Sequence, residues 1–308
     1  MHQYHFCLGD SLDKIFPGRP PKDRENPFRA GCFAGERTAF QIAYTIDYHD
    51  SHMLEEDIQF EIKTPPGMEV KVFRAALVPS AYPCSGLSDD DYLTKEPGMF
   101  PDVLVPLPAS TVRAVPGQWR ALWVQICIDR DMRPGNYAVT VSVSVKDGEI
   151  LWKREAEIMV HSGKLPVQRL IHTEWLHADC LADYYRVPVF SEQHWQILKK
   201  FVTLAAESGI NMILTPLFTP PMDTAVGGER TTVQLVDAEL TEEGWKFGFS
   251  RLGRWISMCR ECGIVWLEMA PLFTQWGAAA APKIMALKEG RQQQVFGWDT
   301  DCLLYTSD

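Results

Sequence analysis

The chain has 308 residues, 46% of them hydrophobic and 23% charged, and this balance excludes an intrinsically disordered protein. The formal net charge of -10 argues against a nucleic-acid partner, because phosphate binding requires a basic surface. No apolar run reaches the roughly 18 residues that a membrane helix needs, and the N-terminus shows no signal peptide. We therefore expect a cytoplasmic protein without a membrane partner.

Residues 1–163 carry the pattern of an all-β domain. Most of their short apolar segments alternate and are rich in β-branched and aromatic residues, which predicts strands at 37–46, 57–63, 69–78, 119–128, 137–145 and 150–160. Turn signals such as Pro65-Pro66-Gly67 separate them, so we predict a β-sandwich. The proline-rich stretch 79–118 predicts a long irregular excursion.

After a linker at 161–170 the pattern changes to alternating strands and helices. We predict strands at 170–178, 210–215 and 264–269, and helices at 191–209 and 250–263. Ser191 and Ser250 stand at the predicted N-caps, and Gly209 and Gly263 end the two helices.

Apolar strands that alternate with helices are typical of a parallel sheet covered by helices. Both a (β/α)8 barrel and an open doubly wound sheet fit this pattern. The long inserts 216–249 and 270–301 favour a barrel whose active site is built from those loops. Within the first insert, residues 231–250 predict a hairpin.

In a barrel, functional side chains follow the carboxyl ends of the strands. The three strand ends here are rich in aromatic rings and in groups that form neutral hydrogen bonds, which suits a carbohydrate. The candidate substrate-binding residues at these ends are Trp175, His177, Asp179, Glu268, Gln275 and Trp276.

Each candidate has an alternative role. The tryptophans could pack under loops, His177 could be a structural histidine, and Glu268 could be a buried, paired carboxylate. His177 and Asp179 could also bind a metal, but the sequence offers no third ligand. We expect no metal and no cofactor.

The eight cysteines are scattered, which indicates reduced intracellular thiols. Cys259 and Cys262 form a C-x-x-C at the end of a helical pattern, without a second pair at zinc spacing. We predict that both thiols pack as small apolar groups, with a redox or metal role as the alternative.

Four stretches resemble the catalytic barrel of glycoside hydrolase family 123 and its bacterial relatives. They are DYYRVPVFSEQHW (183–195), GINMILTPLFTPPMDTAVGGERTTVQLVD (209–237), FSRLGRWISMCRECGI (249–264) and LFTQWGAAAAPKIMA (272–286). DSLDKIFP (10–17) is similar to the opening of the β-sandwich that precedes that barrel. Thr215, at the end of the second predicted strand, and Arg230 both lie in the second stretch, and Trp298 lies in the similarity that continues to about Asp301. The resemblance makes these three further substrate-binding candidates.

The resemblance implies a β-N-acetylgalactosaminidase-type glycosidase that acts, without a cofactor, on a terminal β-linked N-acetylhexosamine. In that family an Asp-Glu pair supports retaining, substrate-assisted catalysis. The Asp orients the substrate's acetamido oxygen for attack on the anomeric carbon, and the Glu protonates the leaving oxygen. The dipeptide Asp-Glu does not occur in this chain, so no catalytic residue is carried over.

Length bears on the same point. A (β/α)8 barrel needs roughly 250 residues, and about half that number lies between Leu170 and Asp301. We predict that 164–301 form the first three strands of a barrel within a fragment of a longer reading frame. Residues 302–308, CLLYTSD, are interpreted as a non-native tail that resembles translated sequencing adapter.

Two other functions remain open. A non-catalytic carbohydrate-binding protein would share the aromatic loops but lack the acid pair. A glycosidase of different sugar specificity would also fit.

Overall fold

The computed structural model describes residues 3–22, 28–47, 56–84, 86, 91–145, 148–221, 224–225, 228–272 and 280–297. The chain divides into two compact units, Met1–Val167 and Gln168–Asp308. Within the described ranges, no helix has both the length and the apolar character that crossing a membrane requires. The predicted tail at 302–308 lies outside the described residues.

The first unit consists of β-strands in two five-stranded sheets, with the orders β1-β3-β8-β5-β6 and β2-β10-β9-β4-β7. The strands are β1 (Tyr4–Asp10), β2 (Phe28–Ala34), β3 (Arg37–Ile46), β4 (Glu56–Lys63), β5 (Met68–Ser80), β6 (Gly98–Pro106), β7 (Thr111–Ala114), β8 (Arg120–Ile128), β9 (Gly135–Val145) and β10 (Ile150–Lys164). All six predicted strands are present.

Residues from both sheets form one shared hydrophobic core. Val124 and Ile126 of β8 are fully buried, and so are Val139 and Val141 of β9 in the other sheet. Because successive side chains of a strand point to opposite faces, every second residue enters the core. The alternation that predicted these strands is therefore also what buries them.

The prediction for 79–118 is wrong in part, because β6 and β7 lie within this stretch. β6 contains Pro101 and Pro106 and pairs only with β5, at the edge of its sheet. A proline has no N–H to donate, and an edge strand tolerates this on its unpaired side. The proline content predicted irregular structure where the chain forms an edge strand. The prediction also missed β1 and β2.

The second unit alternates helices and short strands. Its elements are β11 (Thr173–Glu174), α1 (Ala178–Tyr185), α2 (Glu192–Glu207), β12 (Met212–Thr215), β13 (Asp237–Thr241), β14 (Gly244–Gly248), α3 (Ser250–Glu261), β15 (Trp266–Met269), β16 (Ile284–Lys288) and β17 (Arg291–Phe296). β11, β12 and β15 form a parallel sheet in chain order. Across the described ranges this sheet has three strands and does not close into a barrel.

Helices α2 and α3 cover the same face of the parallel sheet. Ile213 of β12 and Leu267 of β15 are paired in register, so they point to one face. Both join a core that contains Leu198 of α2 and Trp255 of α3, each fully buried. The opposite face of the sheet is therefore the one without these two helices.

The start and end of α2 confirm the sequence prediction. The Oγ of Ser191 accepts a hydrogen bond from the backbone N–H of His194 at 3.2 Å. Gly209 follows the helix with a φ of 89°, a left-handed conformation that glycine adopts without strain. Local signals suffice here because capping involves only neighbouring residues.

Two predictions in the second unit are wrong. Ser250 is the first residue of α3 and not its cap, because the carbonyl of Phe249 already accepts the N–H of Gly253 at 2.8 Å. The strand predicted over 170–178 is only Thr173–Glu174, and α1 begins at Ala178. His177, the N-cap of α1, makes no side-chain capping bond, so no local capping signal marks the start of this helix.

The two inserts combine into one four-stranded sheet, with the order β14-β13-β16-β17. The hairpin predicted within 231–250 is confirmed as β13 and β14. The second hairpin, β16 and β17, was missed, and β16 lies parallel to β13. The inserts are therefore ordered together over their described residues.

Candidate functional site

A carboxylate of the third parallel strand is held by one donor in the first strand and one donor in the residue after it. The Oε2 of Glu268 accepts a hydrogen bond from the Oγ1 of Thr173 at 2.6 Å. Its Oε1 accepts one from the indole Nε1 of Trp175 at 3.1 Å. These contacts span 95 and 93 residues of sequence and join β15 to the β11 end of the sheet.

Glu268 lies on the face of the sheet opposite α2 and α3. It follows Leu267 by one residue, and successive side chains of a strand alternate between faces. Glu268 is partly exposed, and the Trp175 side chain is 55% exposed. In the described part of the chain no cation lies within ion-pair distance of Glu268, so it is not a buried, ion-paired carboxylate.

Arg230, in the first insert, bonds to the residues at the start of α1. Its Nε donates to the Oδ2 of Asp179 at 2.7 Å, and both side chains are almost fully buried. Its Nη2 donates to the Nδ1 of His177 at 2.7 Å. Nearby, the hydroxyl of Thr231 donates to the carboxylate of Asp183 at 2.9 Å. The insert is thus attached to α1 by a buried ion pair and an exposed hydrogen bond.

The contact with Arg230 fixes the tautomer of His177. A guanidinium has only donors, so the Nδ1 of His177 must accept. The proton of the neutral ring is therefore on Nε2, which is left to donate to another group. This tautomer places an N–H donor at the N-cap of α1.

Metal binding by this cluster is disfavoured by its own arginine. His177, Asp179 and Cys180 have potential ligand atoms within 4.8 Å of one another, which supplies the third ligand that the sequence did not show. The guanidinium of Arg230, however, bonds to His177 and Asp179 and lies 3.5 Å from the Sγ of Cys180. A metal ion would have to displace this cation, so the cluster is an ion-pair network.

His194 is a buried residue that the sequence analysis missed. Its Nδ1 accepts the backbone N–H of Phe190 at 2.9 Å, and its Nε2 lies 2.9 Å from the carbonyl of Ala178. Because Nδ1 accepts, Nε2 carries the proton and donates to Ala178. Burial lowers the pKa of His194 below its ordinary value and keeps the ring neutral. The residue ties the start of α2 to the start of α1.

Thr215 lies on the other face of the sheet from Glu268. Its side chain is fully buried, and its Oγ1 accepts the indole N–H of Trp255 at 3.2 Å. This contact anchors β12 to α3. Gln275, Trp276 and Trp298 lie outside the described residues, so their place in the site stays a prediction.

The C-x-x-C pair lies at the end of α3. Cys259 is buried in the core of the second unit, and burial raises its pKa to about 12, with a smaller effect from Cys262. Cys262 is partly exposed, and its Sγ accepts from the hydroxyl of Thr203 at 3.3 Å. Both are free thiols in the structure, and Cys259 packs as predicted.

Residues 175–302 match the family model for the glycoside hydrolase 123 catalytic domain. The fold is similar to that of a family 123 glycoside hydrolase from Clostridium perfringens, with a TM-score of 0.68 and 13% sequence identity. The match covers 96% of this chain and 52% of that one, so the chain spans about half its length.

Two other solved structures are much less similar. The N-terminal domain of PorA matches with a TM-score of 0.27 and 10% identity, over 52% of this chain and 99% of that one. A type I cohesin from Pseudobacteroides cellulosolvens gives 0.23 and 10%, over 55% and 98%. No match is found among curated proteins.

Proposed function

We propose that the chain, whose residues 175–302 match the glycoside hydrolase 123 catalytic domain, is part of a glycosidase acting on a terminal β-linked N-acetylhexosamine. The family match is the observation that carries this proposal. The related Clostridium perfringens enzyme is described for glycolipid glycan hydrolysis, which agrees with a sugar substrate.

We further propose that the first unit is a β-sandwich and that the second contains the first three strands of a (β/α)8 barrel. Two observations support the barrel over a doubly wound sheet. The parallel strands are neighbours in chain order, and α2 and α3 pack on one face. A doubly wound sheet has helices on both faces.

In this proposal the sugar binds at the carboxyl end of the parallel strands. Trp175 supplies an apolar ring for the C–H face of a pyranose, and Glu268 supplies acceptors for its hydroxyls or amide N–H. His177 offers its Nε2–H, while Asp179 and Arg230 hold it in place. Gln275, Trp276 and Trp298 would complete the contacts, and Thr215 supports the sheet from behind.

The proposed chemistry is substrate-assisted hydrolysis with retention. The acetamido oxygen of the sugar attacks the anomeric carbon as the glycosidic bond breaks, and a carboxylic acid protonates the leaving oxygen. Water then opens the cyclic intermediate. The Asp-Glu pair that orients the acetamido group and donates the proton is not in this sequence. We therefore assign binding, and not turnover, to residues 1–308.

The test combines binding with hydrolysis. We expect methyl N-acetyl-β-galactosaminide to bind the 308-residue chain in a tryptophan-fluorescence titration, and nitrophenyl N-acetyl-β-galactosaminide to remain intact. Trp175→Leu should weaken binding, and Trp245→Leu, at a half-exposed ring of β14, should not.

The outcomes separate the parts of the proposal. No binding of any N-acetylhexosaminide would contradict the assignment of the site. Turnover that a substitution within the chain abolishes would show that the acid pair is not required. Failure of a longer protein containing the pair to hydrolyse the glycoside would favour a non-catalytic sugar-binding protein.

A further inference from the structure

Among the residues that the structure describes, no nearby cation compensates the charge of Glu268. Both donors to its carboxylate, the Thr173 hydroxyl and the Trp175 indole, are neutral. No lysine, arginine or histidine among the described residues forms an ion pair with it. By contrast, Asp179 in the same unit is buried against Arg230. Glu268 therefore presents a net negative charge on the face of the sheet opposite α2 and α3.

The arrangement leaves acceptor capacity on Glu268. An ionised carboxylate accepts at about four lone-pair positions and donates at none. Thr173 uses one position on Oε2 and Trp175 one on Oε1. The remaining positions can accept from a ligand hydroxyl or amide N–H, but they repel an anionic group.

Trp175 is oriented by the same contact. Its only polar atom, the indole Nε1, is bonded to Glu268, and its side chain is 55% exposed. The rest of its surface is apolar, so a ligand that contacts it must have an apolar face. On the ligand, this apolar face must lie next to hydroxyl or N–H donors, because the Glu268 carboxylate is at the edge of the Trp175 ring.

We propose that the Thr173–Trp175–Glu268 group is a specificity-determining subsite that selects uncharged pyranosides and rejects sugars with sulfate or carboxylate substituents. The inference rests on the proposed function for its ligand class, and it adds a rule that the family match does not contain. Two unit charges a few ångströms apart in a partly exposed site weaken binding by about tenfold or more.

The experiment compares neutral and anionic forms of one sugar. Methyl N-acetyl-β-galactosaminide and its 4- and 6-sulfates are titrated against the 308-residue chain, with tryptophan fluorescence and saturation-transfer NMR as readouts. The variant Glu268→Gln removes the charge and keeps the size of the side chain. The matched control is Glu174→Gln, which removes an exposed carboxylate from the other face of β11. Circular dichroism verifies that both variants are folded.

We expect both sulfates to bind about tenfold more weakly than the neutral sugar to the unmodified chain at low ionic strength. The ratio of the dissociation constants should approach one in Glu268→Gln and stay unchanged in Glu174→Gln. Added salt should also reduce this ratio of dissociation constants in the unmodified chain.

Three results would overturn the inference. Equal binding of neutral and sulfated sugars would refute the selection rule and leave the proposed function standing. A large ratio that persists in Glu268→Gln would assign the selection to another group. Absence of binding by every sugar would remove the proposed function and this inference together.

Discussion

Gln234 bonds to the backbone of Met285 through both ends of its side-chain amide. The Nε2 donates to the Met285 carbonyl at 2.8 Å, and the Oε1 accepts the Met285 N–H at 3.0 Å. The same Nε2 donates to the carbonyl of Val236 at 2.8 Å. A single buried side chain thus connects the two inserts at the start of β16.

Gln234→Ala should loosen this connection. The substitution leaves buried backbone groups without partners, which we expect to destabilise the four-stranded sheet by about 2 kcal/mol. Amide hydrogen exchange across 284–296 should become faster. Gln293→Ala is the control, because that side chain is exposed and its hydrogen bond to the Lys288 carbonyl is long, at 3.5 Å. Unchanged exchange in Gln234→Ala would show that strand pairing alone holds the sheet.

The buried His194 predicts a pH dependence of stability. Its pKa is lowered in the folded protein, so the unfolded chain takes up a proton near pH 6.5 that the folded chain does not. Between the two pKa values the unfolded state binds more protons, and stability rises with pH. The contribution of His194 to the free energy of unfolding is fully present above about pH 6.5. It is lost as the pH falls below that value, by up to about 1.4 kcal/mol per pH unit.

His194→Gln isolates this effect. We expect it to cost about 1–2 kcal/mol at pH 7.5, because the N–H of Phe190 loses its acceptor. The loss of stability from pH 6.5 to 5.5 should become smaller than in the unmodified chain. His172→Gln is the comparison at an exposed ring, and it should cost less stability at pH 7.5 than His194→Gln. An unchanged pH slope in His194→Gln would mean that another group is responsible. Urea denaturation at each pH provides the measurement.

The Arg230–Asp179 pair should matter far more than an ion pair on the surface. Arg230→Met leaves the carboxylate of Asp179 buried without this partner, which we expect to cost about 3–5 kcal/mol. The loss of stability in Arg230→Lys should lie between zero and the loss in Arg230→Met, because lysine keeps the charge but lacks the several N–H donors of the guanidinium.

The comparison is Arg254→Met, which breaks a bidentate pair with Glu192 between α3 and α2. Both side chains of that pair are exposed, so water replaces the contact and only a small loss is expected. Equal destabilisation by the two substitutions would show that burial does not determine the contribution of Arg230. Urea-induced unfolding reports both values.

Cysteine reactivity tests the packing of the second unit. Burial raises the pKa of Cys259 to about 12, so almost no thiolate forms at pH 8. The side chain of Cys180 is exposed at the surface of α1. Iodoacetamide should therefore alkylate Cys180 in the folded protein and reach Cys259 only after unfolding. Peptide mass spectrometry measures the modification of each residue. Modification of Cys180 and Cys259 at the same rate would contradict the prediction.

The sequence predicted best those features that depend on near neighbours. The cap at Ser191, the glycine after α2 and the alternating strands of the first unit all have local causes. Helix α1 instead depends on contacts from Arg230 and His194, which no local pattern reveals. β17 was missed because Arg291–Phe296 begins with four polar residues in a row, and its strand conformation comes from pairing with β16.

The candidate site shows the same division. Trp175, Glu268, His177, Asp179 and Arg230 were chosen from residue type, position or resemblance, and the structure places them in two hydrogen-bonded groups. Their pairings connect residues that are far apart in the chain, and geometry alone supplies them. The face to which Glu268 points depends on a register of one residue, which the sequence left open.

The order of strands in the two sheets of the second unit has a consequence for biosynthesis. In the parallel sheet each strand lies beside the one made before it, so the sheet can be extended as the nascent chain leaves the ribosome. The four-stranded sheet cannot be extended in this way. Glu239 of β13 pairs with Leu287 of β16, and this pairing must wait until α3, β15 and β16 have been synthesised. We therefore expect the four-stranded sheet to form last, after the parallel sheet has assembled.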